Sequence, residues 1–148
     1  MESRSNKVIA KNKKAKYDYH ILDIYEAGVV LVGSEVKSVR EGKVSLSDAF
    51  AQVVRGEIFL FNMHISPYGK AQDILDAKRD RKLLLNKNEI RKIEGKLKNK
   101  GLTLIPLEVY FKKNLVKISL AVVKGKKEYE KRDKIIKKEQ RKEIKKYL

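Results

Sequence analysis

The stretch that decides the fold is Leu102–Val123, LTLIPLEVYFKKNLVKISLAVV. It contains two runs rich in β-branched and aliphatic residues, Leu102–Phe111 and Leu115–Val123, separated by the polar triplet Lys112–Asn114. Such runs on either side of a short polar turn predict a β-hairpin. We expect this hairpin and a further strand at Glu57–Ile65 to supply most of the wall of a small antiparallel barrel.

Other segments add strands to this hairpin. Ala49–Val54 and Glu57–Ile65 flank an Arg-Gly pair and predict a second hairpin. Tyr17–Ala27 is predicted to be a strand, and Val29–Val32, which follows Gly28, is predicted to be a separate strand. The expected fold class is therefore mainly β, an antiparallel β-barrel with two or three added helices.

Two segments carry helix signals. Asn86 is a candidate N-cap, Glu89 would complete a capping box, and the apolar residues that follow recur at a helical spacing of i, i+3, i+7. We expect this helix to plug one end of the barrel. A shorter helical turn is predicted between Ser34, as its N-cap, and Gly42, at its C-terminal cap.

Positive charge is the dominant compositional feature. The 148 residues include 36 Lys and Arg against 19 Asp and Glu, which gives a net charge of +17. The excess lies in residues 1–16 (net +5), 78–100 (net +7) and 125–148 (net +6), and the remainder is close to neutral. A near-neutral core with one basic patch and two basic arms predicts a polyanionic partner, most commonly nucleic acid.

Several chemistries lack the residues they need. The chain has no cysteine, which excludes disulfides, thiolate metal sites and cysteine nucleophiles and fits a reducing cytoplasm. Its histidines, His20 and His64, are interpreted as structural, and no phosphate-binding loop or hydrolase motif occurs. No apolar run approaches the ~20 residues of a membrane span, and no apolar segment of a secretory signal is seen. We therefore expect a cytoplasmic protein that is not an enzyme, with no cofactor, no metal and no membrane partner.

Three basic clusters stand beside aromatic or apolar residues. Asn12-Lys13-Lys14 precedes two tyrosines, and Arg79-Asp80-Arg81-Lys82 leads into three leucines at a predicted helix entrance. The third cluster runs from Lys124 through the tail residues Gly125, Lys126, Lys127, Tyr129, Lys131 and Arg132. Cations beside rings suit phosphate pairing combined with base stacking. The alternative is that the tyrosines pack on the barrel and the lysines only maintain solubility.

Seven short motifs occur in one order along the chain. They are NKKA (12–15), YEAG (25–28), EVKS (35–38), HISPY (64–68), RKLLL (81–85), KGLT (100–103) and GKK (125–127). Together they resemble the bacterial SsrA-binding protein family, also called small protein B. The resemblance extends from about Val8 into the tail.

This resemblance implies both a fold and a function. The family has an antiparallel barrel similar to an oligonucleotide-binding fold, with added helices. It binds the tRNA-like domain of transfer-messenger RNA, supports charging of that RNA by alanyl-tRNA synthetase, and enters stalled ribosomes with it and elongation factor Tu in trans-translation. The alternative is a general ribosomal or single-strand RNA-binding protein. A peripheral membrane protein is disfavoured, because the tail has no Trp or Phe.

The resemblance also implies site residues. Asn12, Glu26 and Leu84 match residues of the family's RNA-binding face, and the basic clusters and motifs add Lys13, Lys14, Lys37, Arg79, Arg81, Lys82 and Lys124. Glu26 is expected to accept hydrogen bonds from base N–H groups or a 2′-hydroxyl, with a solvated acid as the alternative. Leu84 is expected to contact a base or ribose, with a buried barrel residue as the alternative.

The predicted organisation is an RNA-binding barrel at residues 1–124, including a basic N-terminal arm, followed by a basic tail at 125–148. The resemblance implies that the tail occupies the messenger channel of the ribosome near the decoding centre. Its charge predicts a tail that is disordered in the free protein and helical on the ribosome. Tyr129 stands where the family often has His, and it keeps a ring for stacking but cannot become cationic. A monomer is expected.

Overall fold

Within residues 6–69 and 76–126, the computed structural model contains nine β-strands and three helices. The strands are β1 (Asn6–Lys11), β2 (Tyr19–Val29), β3 (Val44–Ser45), β4 (Phe50–Val54), β5 (Glu57–Phe61), β6 (His64–Ile65), β7 (Arg81–Leu84), β8 (Leu102–Lys112) and β9 (Leu115–Gly125). The helices are α1 (Ala15–Asp18), α2 (Gly33–Arg40) and α3 (Lys87–Leu97).

Six strands close into an antiparallel ring. Their order is β8, β4, β5, β7, β2 and β9, and the ring closes because β9 also pairs with β8. The predicted mainly β, antiparallel barrel is therefore confirmed. The strands β2, β8 and β9 are each 11 residues long, so β2, rather than residues 57–65, joins the hairpin as the third long wall strand.

β1 was not predicted. It pairs with the second half of β8, from Glu108 to Lys112, while β4 pairs with β8 at Leu104. Residues of the expected basic arm therefore form an edge strand of the sheet. Its only apolar residues packed against the main core are Ile9 and Ala10 among the residues that the structure describes, a pattern too short to predict a strand.

β2 runs without a break through Gly28, so the prediction of a separate strand at Val29–Val32 is wrong. Gly28 lies opposite Leu84 of β7 and Lys117 of β9. Its backbone continues the strand and does not form a turn. Because Gly28 has no side chain, it leaves room for the side chain of Leu84. The predicted start at Tyr17 is also two residues early, since α1 extends to Asp18.

Both predicted hairpins are confirmed. Arg55 and Gly56 turn the chain between β4 and β5 with φ of 52° and 75°, and Lys113 and Asn114 do so between β8 and β9 with φ of 50° and 66°. Positive φ at both central residues is the signature of a type I′ turn, whose twist matches that of paired strands.

The strand predicted at Glu57–Ile65 is divided in two. β5 ends at Phe61, and Asn62 adopts a φ of 62° that breaks the strand. His64–Ile65 then pairs with Val44–Ser45 in a separate two-stranded sheet.

The longest helix follows its predicted pattern. The Glu89 amide donates to Asn86 Oδ1 at 2.9 Å, and the Asn86 amide donates to Glu89 Oε1 at 3.3 Å, which completes the capping box. Ile93 is fully buried, and Ile90 and Leu97 pack against the same core. α3 therefore packs against the main core through its predicted apolar residues.

The N-terminus of α2 differs from the prediction. Val32, not Ser34, occupies the N-cap position, and its amide donates to Glu35 Oε1 at 3.1 Å. The C-terminal prediction is confirmed, because Gly42 has a φ of 76° and its amide donates to the Val39 carbonyl at 2.9 Å.

Candidate RNA interface

The outer surface of β2 carries an exposed row of alternating residues. Leu22 and Ile24 are 51% and 59% exposed, and Glu26 follows two positions later. Because successive side chains of a strand point to opposite faces, these residues point away from the core that encloses Ala27. The row ends at Gly28, where β7 and β9 flank β2.

Glu26 is held by residues from β8. The Tyr110 hydroxyl donates to Glu26 Oε2 at 2.6 Å, and Lys112 Nζ lies 3.4 Å from both carboxylate oxygens. The hydrogen bond from Tyr110 lowers the pKa of Glu26, and Lys112 and Lys117 act in the same direction. Burial and the same hydrogen bond raise the pKa of Tyr110. The pair is therefore a neutral phenol and an ionised carboxylate at neutral pH, with the carboxylate partly exposed.

Leu84 lies on the same outer surface as this carboxylate, next to Gly28, which has no side chain. Leu84 faces Gly28 across the β2–β7 pairing and is 51% exposed. A Cβ added at Gly28 would lie 3.3 Å from Leu84 Cβ and 3.8 Å from Lys117 Nζ. The alternative that Leu84 is a buried barrel residue is therefore wrong. Glu26, Leu84 and Lys117 form one surface, which we call the Glu26 face together with Tyr110 and Lys112.

Arg81 does not lie on this surface. Within the strand Arg81–Leu84, Arg81 and Leu83 point inward at 1% exposure each, and Lys82 and Leu84 point outward. Arg81 was predicted to contact phosphate because the RKLLL segment was expected to form a helix entrance. Residues Arg81–Leu84 instead form a strand, in which Arg81 is on the inward face. The structure therefore corrects that assignment.

The buried Arg81 guanidinium makes four hydrogen bonds. Its Nε and Nη2 donate to Glu35 Oε2 at 2.9 and 2.7 Å, Nη1 donates to the Met63 carbonyl at 2.5 Å, and Nη2 donates to the Ala77 carbonyl at 3.0 Å. Burial would raise the pKa of Glu35, but hydrogen bonds from Arg79 and Arg81 outweigh it and hold that pKa below its usual value. This ion pair ties α2 to β7.

Arg79 and Lys82 are only partly engaged. Arg79 donates to both oxygens of Glu35, at 2.5 and 3.1 Å, and its side chain remains 28% exposed. Lys82 pairs with Glu57 at 3.1 Å on the outer surface, and its side chain is 42% exposed. Both cations can therefore reach a ligand at the surface if they exchange partners.

Asn12 contacts β8 at the position where the partner of that strand changes from β4 to β1. Its Nδ2 donates to the Pro106 carbonyl at 3.1 Å, and its amide donates to the Leu107 carbonyl at 2.8 Å. It thus fills the gap between β4, paired at Leu104, and β1, paired from Glu108 onward. Lys13 and Lys14 follow it and are exposed.

The remaining predicted residues are spread over the surface. Lys37 lies on α2 with its Nζ 5.4 Å from the centroid of the Tyr68 ring. Lys124 is exposed near the end of β9. The structure does not bring these two residues into the Glu26 face.

The start of the predicted tail belongs to the barrel. β9 extends to Gly125, which pairs with Tyr19, and the Lys126 amide donates to the Asp18 carbonyl at 2.8 Å. Lys126 Nζ also donates to the Lys16 carbonyl at 2.8 Å. The predicted tail residues Lys127, Tyr129, Lys131 and Arg132 lie outside the described residues.

Sequence reasoning missed three members of the Glu26 face. Tyr110, Lys112 and Lys117 lie on β8 and β9, and nothing local distinguishes them from the other polar residues of that hairpin. Their role depends on register, because Tyr110 lies opposite Lys117 and Lys117 lies opposite Gly28. The only available signal was that Tyr110 and Lys117 lie in predicted strands, since Lys112 falls in the predicted turn.

The described part of the chain gives no support for a metal site or for a membrane-spanning helix. Residues 6–69 and 76–126 contain no group of three or more His, Cys, Asp or Glu side chains able to hold a metal ion. Over the same residues, no helix is long and apolar enough to cross a membrane.

Comparison with known proteins identifies the family. Residues 9–148 match the family model described as SmpB protein. The chain belongs to the SmpB family. It is 56% identical over 139 residues to the SsrA-binding protein of Halothermothrix orenii, covering 93% of this chain and 90% of that protein. It is 52% identical over 143 residues to the SsrA-binding protein of Carboxydothermus hydrogenoformans, covering 96% of each.

A solved SmpB-family structure has the same fold. It is described as "tmRNA-SmpB: a journey to the center of the bacterial ribosome", and the chain matches it with a TM-score of 0.68 at 46% identity. The match covers 80% of this chain and 85% of the solved chain. Membership of the SmpB family therefore agrees with both the sequence and the closed barrel.

Proposed function

We propose that this protein binds the tRNA-like domain of transfer-messenger RNA through the Glu26 face and delivers that RNA to stalled ribosomes for trans-translation. The observation that carries the proposal is the Glu26 carboxylate, held by Tyr110, on the same surface as the exposed Leu84 in a chain of the SmpB family. The relatives are named for binding SsrA, and the solved relative comes from a study of tmRNA and SmpB on the ribosome.

Each component of the Glu26 face has a chemical role in this proposal. The carboxylate of Glu26 accepts hydrogen bonds from base N–H groups or a 2′-hydroxyl, and Tyr110 fixes its orientation. Lys112 and Lys117 offset its charge toward the RNA backbone. Leu84 offers an apolar contact to a base or ribose. Since all of these residues lie on paired strands, the face is rigid and suits a structured RNA better than a flexible single strand.

Other cations add contacts around this face. We assign phosphate contacts to the exposed or partly exposed cations of the predicted set, Lys13, Lys14, Lys37, Arg79, Lys82 and Lys124. Asn12 contributes by holding the loop that carries Lys13 and Lys14, since its amide group is anchored on β8. Arg81 is left out of the set, because it is buried and four of its five N–H donors bond to Glu35, Met63 and Ala77.

The proposed role is that of an RNA chaperone with no catalysis of its own, acting in the cytoplasm. Elongation factor Tu and alanyl-tRNA synthetase would then act on the bound RNA and not on this protein directly. We further propose two functional parts: a barrel that binds the RNA and a tail that contacts the messenger channel of the ribosome. Since Gly125 and Lys126 are attached to the barrel, the tail assignment starts at Lys127.

The interface can be tested with Glu26→Ala and Leu84→Ala in titrations with the tRNA-like RNA at ~0.15 M salt. Matched controls are Glu94→Ala, an exposed acid on α3, and Val54→Ala, an exposed aliphatic residue beside the β4–β5 turn. We expect each test variant to weaken binding about tenfold and each control to leave it unchanged.

The result for Glu26 separates specific recognition from general electrostatics. Removing a negative charge should tighten binding to any RNA if charge alone matters. Weaker binding to the tRNA-like RNA, with unchanged binding to an unstructured RNA of equal length, supports the proposal. Equal affinity of the wild-type protein for both RNAs would instead favour a general RNA-binding protein.

The division between barrel and tail has its own test. A protein that ends at Lys126 keeps every strand of the barrel and the contacts of Lys126 with α1. We expect it to bind the tRNA-like RNA normally and to fail to support peptide tagging on stalled ribosomes. Normal tagging, or loss of RNA binding, would contradict this division.

A further inference from the structure

A second basic surface lies at the β8–β9 turn, away from the Glu26 face. A groove of about 420 Å³ is lined there by Lys7, Ile9, Arg40, Phe111, Lys113 and Asn114. We call it the Arg40 groove. Tyr110 and Phe111 are neighbours in β8 and therefore project on opposite sides of that strand. The Arg40 groove and the Glu26 face are thus separate surfaces.

The central contact of the groove is between the Arg40 guanidinium and the Phe111 ring. The Arg40 guanidinium carbon lies 5.8 Å from the centroid of the Phe111 ring, within the range of a cation–π contact. Phe111 packs against the core on its other side, whereas Arg40 is exposed. The Arg40 guanidinium is therefore near the Phe111 ring and accessible to a ligand, and unstacked RNA bases stack on guanidinium planes.

The charges around this stack have one sign. Lys7 lies opposite Phe111 in the β1–β8 pairing, and Lys113 occupies the first position of the type I′ turn. Among the residues that the structure describes, none that lines the groove is acidic. The acid next to Arg40 in the chain, Glu41, pairs with Lys43 at 3.1 Å. Asn114 adds an amide that can both donate to and accept from a base edge.

We infer that the Arg40 groove binds a nucleotide of single-stranded RNA, with the base stacked on Arg40 and the flanking phosphates on Lys7 and Lys113. This goes beyond the proposed function, because it gives the barrel a second RNA site that does not use the Glu26 face. RNA fits the groove better than an acidic peptide does, because a peptide carboxylate would use the cations but leave the exposed Arg40 guanidinium without a stacking partner.

The absence of tryptophan from the chain permits a direct test. Phe111→Trp introduces a single tryptophan next to Arg40, which can be excited selectively over the seven tyrosines. Its emission should change when a base stacks on Arg40. The probe is an eight-residue oligouridylate, and the acidic control is a heptaglutamate peptide, which carries a comparable number of negative charges. Both are titrated against Phe111→Trp, against the same variant with Arg40→Gln, and against the same variant with Arg91→Gln.

Arg91 is a matched control because it is an exposed arginine on α3. We expect a saturable emission change with oligouridylate in Phe111→Trp and in the Arg91→Gln background. In the Arg40→Gln background, the Kd should rise about tenfold because one stacking contact is lost. An equal response to heptaglutamate, or equal affinity in both backgrounds, would overturn the assignment to a stacked nucleotide.

A second measurement avoids any dependence on the folding of Phe111→Trp. Fluorescence anisotropy of labelled oligouridylate compares the double variant Lys7→Gln/Lys113→Gln with the double variant Arg91→Gln/Lys98→Gln at several salt concentrations. Loss of two phosphate contacts should flatten the slope of log K against log salt by about 1.4 in the first variant only. Equal slopes in the two variants would refute the site.

Discussion

Replacing Arg81 by methionine is expected to destabilise the barrel and not to remove an RNA contact. The Arg81 side chain is fully buried, and its partner Glu35 is 6% exposed. Methionine keeps much of the length and volume of arginine but has no donors. The substitution therefore leaves a buried carboxylate with one guanidinium fewer and removes one hydrogen-bond donor from each of two backbone carbonyls, those of Met63 and Ala77.

The size of the effect follows from these losses. Removing one partner of a buried ion pair costs about 3–5 kcal/mol, because the other charge stays buried without compensation. Arg79 still donates to Glu35 and limits this cost, whereas the Met63 carbonyl loses its donor and adds about 1–3 kcal/mol. The Ala77 carbonyl adds less, because it still accepts from the Ile65 amide at 3.0 Å. We expect the free energy of unfolding to fall by about 4 kcal/mol. For a domain of this size, that corresponds to a Tm lowered by about 12–16 °C.

Urea unfolding followed by circular dichroism measures this change, and three further variants show its origin. Arg79→Met, whose side chain is partly exposed, should cost about 1 kcal/mol because the Arg81 contacts persist. Arg81→Lys should remain destabilised, because an ammonium cannot reproduce the fork of the guanidinium. The double variant Glu35→Gln/Arg81→Met should be more stable than Arg81→Met, since no buried charge is then left unpaired.

RNA titration of the folded fraction completes the test. At a temperature where Arg81→Met is fully folded, its affinity for the tRNA-like RNA should match that of the wild-type protein. A variant with wild-type stability and weakened RNA binding would refute the structural role. It would return Arg81 to the RNA-binding set that the sequence suggested.

Three further predictions concern the Glu26 face and the buried ion pair. Tyr110→Phe should weaken binding of the tRNA-like RNA several-fold in titrations, because Glu26 loses the 2.6 Å hydrogen bond that orients it; unchanged affinity would exclude a positioning role. Gly28→Val should displace Leu84, whose Cβ would lie 3.3 Å from the new Cβ, and should reduce RNA affinity about tenfold in the same titration. Valine is well suited to a strand, so the variant should still fold. The pKa of Glu35 is lowered by folding, so its ionised form stabilises the folded state; stability should fall as the pH drops below 4.5 toward that lowered pKa, and denaturation of Glu35→Gln across this range should show a flatter profile.

Much of the fold is determined by local sequence. The hairpin of β8 and β9 follows from two apolar runs around a turn, and the capping pair of Asn86 and Glu89 marks the start of α3. These features depend on residues only a few positions apart, which a single sequence displays directly. The same holds for the charge distribution, which indicated a polyanionic partner without any knowledge of the fold.

Local sequence patterns predicted secondary structure less reliably where a residue's conformation depends on contacts with a distant strand. Gly28 resembles a turn glycine, but it lies inside a continuous strand because Leu84 of another strand needs the space. β1 was overlooked because its basic residues are typical of a flexible arm, whereas pairing with β8 supplies the hydrogen bonds that hold it in the sheet.

The sequence alone thus determined the class of fold, its longest hairpin, its main helix and the basic character of its surface. Tertiary structure decided which residues face the ligand. Arg81 and Lys82 are adjacent cations, and only the pairing of β7 with β2 and β5 sends one into the barrel and the other to the surface. The partner of Arg81 lies 46 residues away, and Tyr110 lies 84 residues from Glu26. Because a one-residue shift in register exchanges the two faces of a strand, such contacts are fixed by long-range pairing and not by local composition.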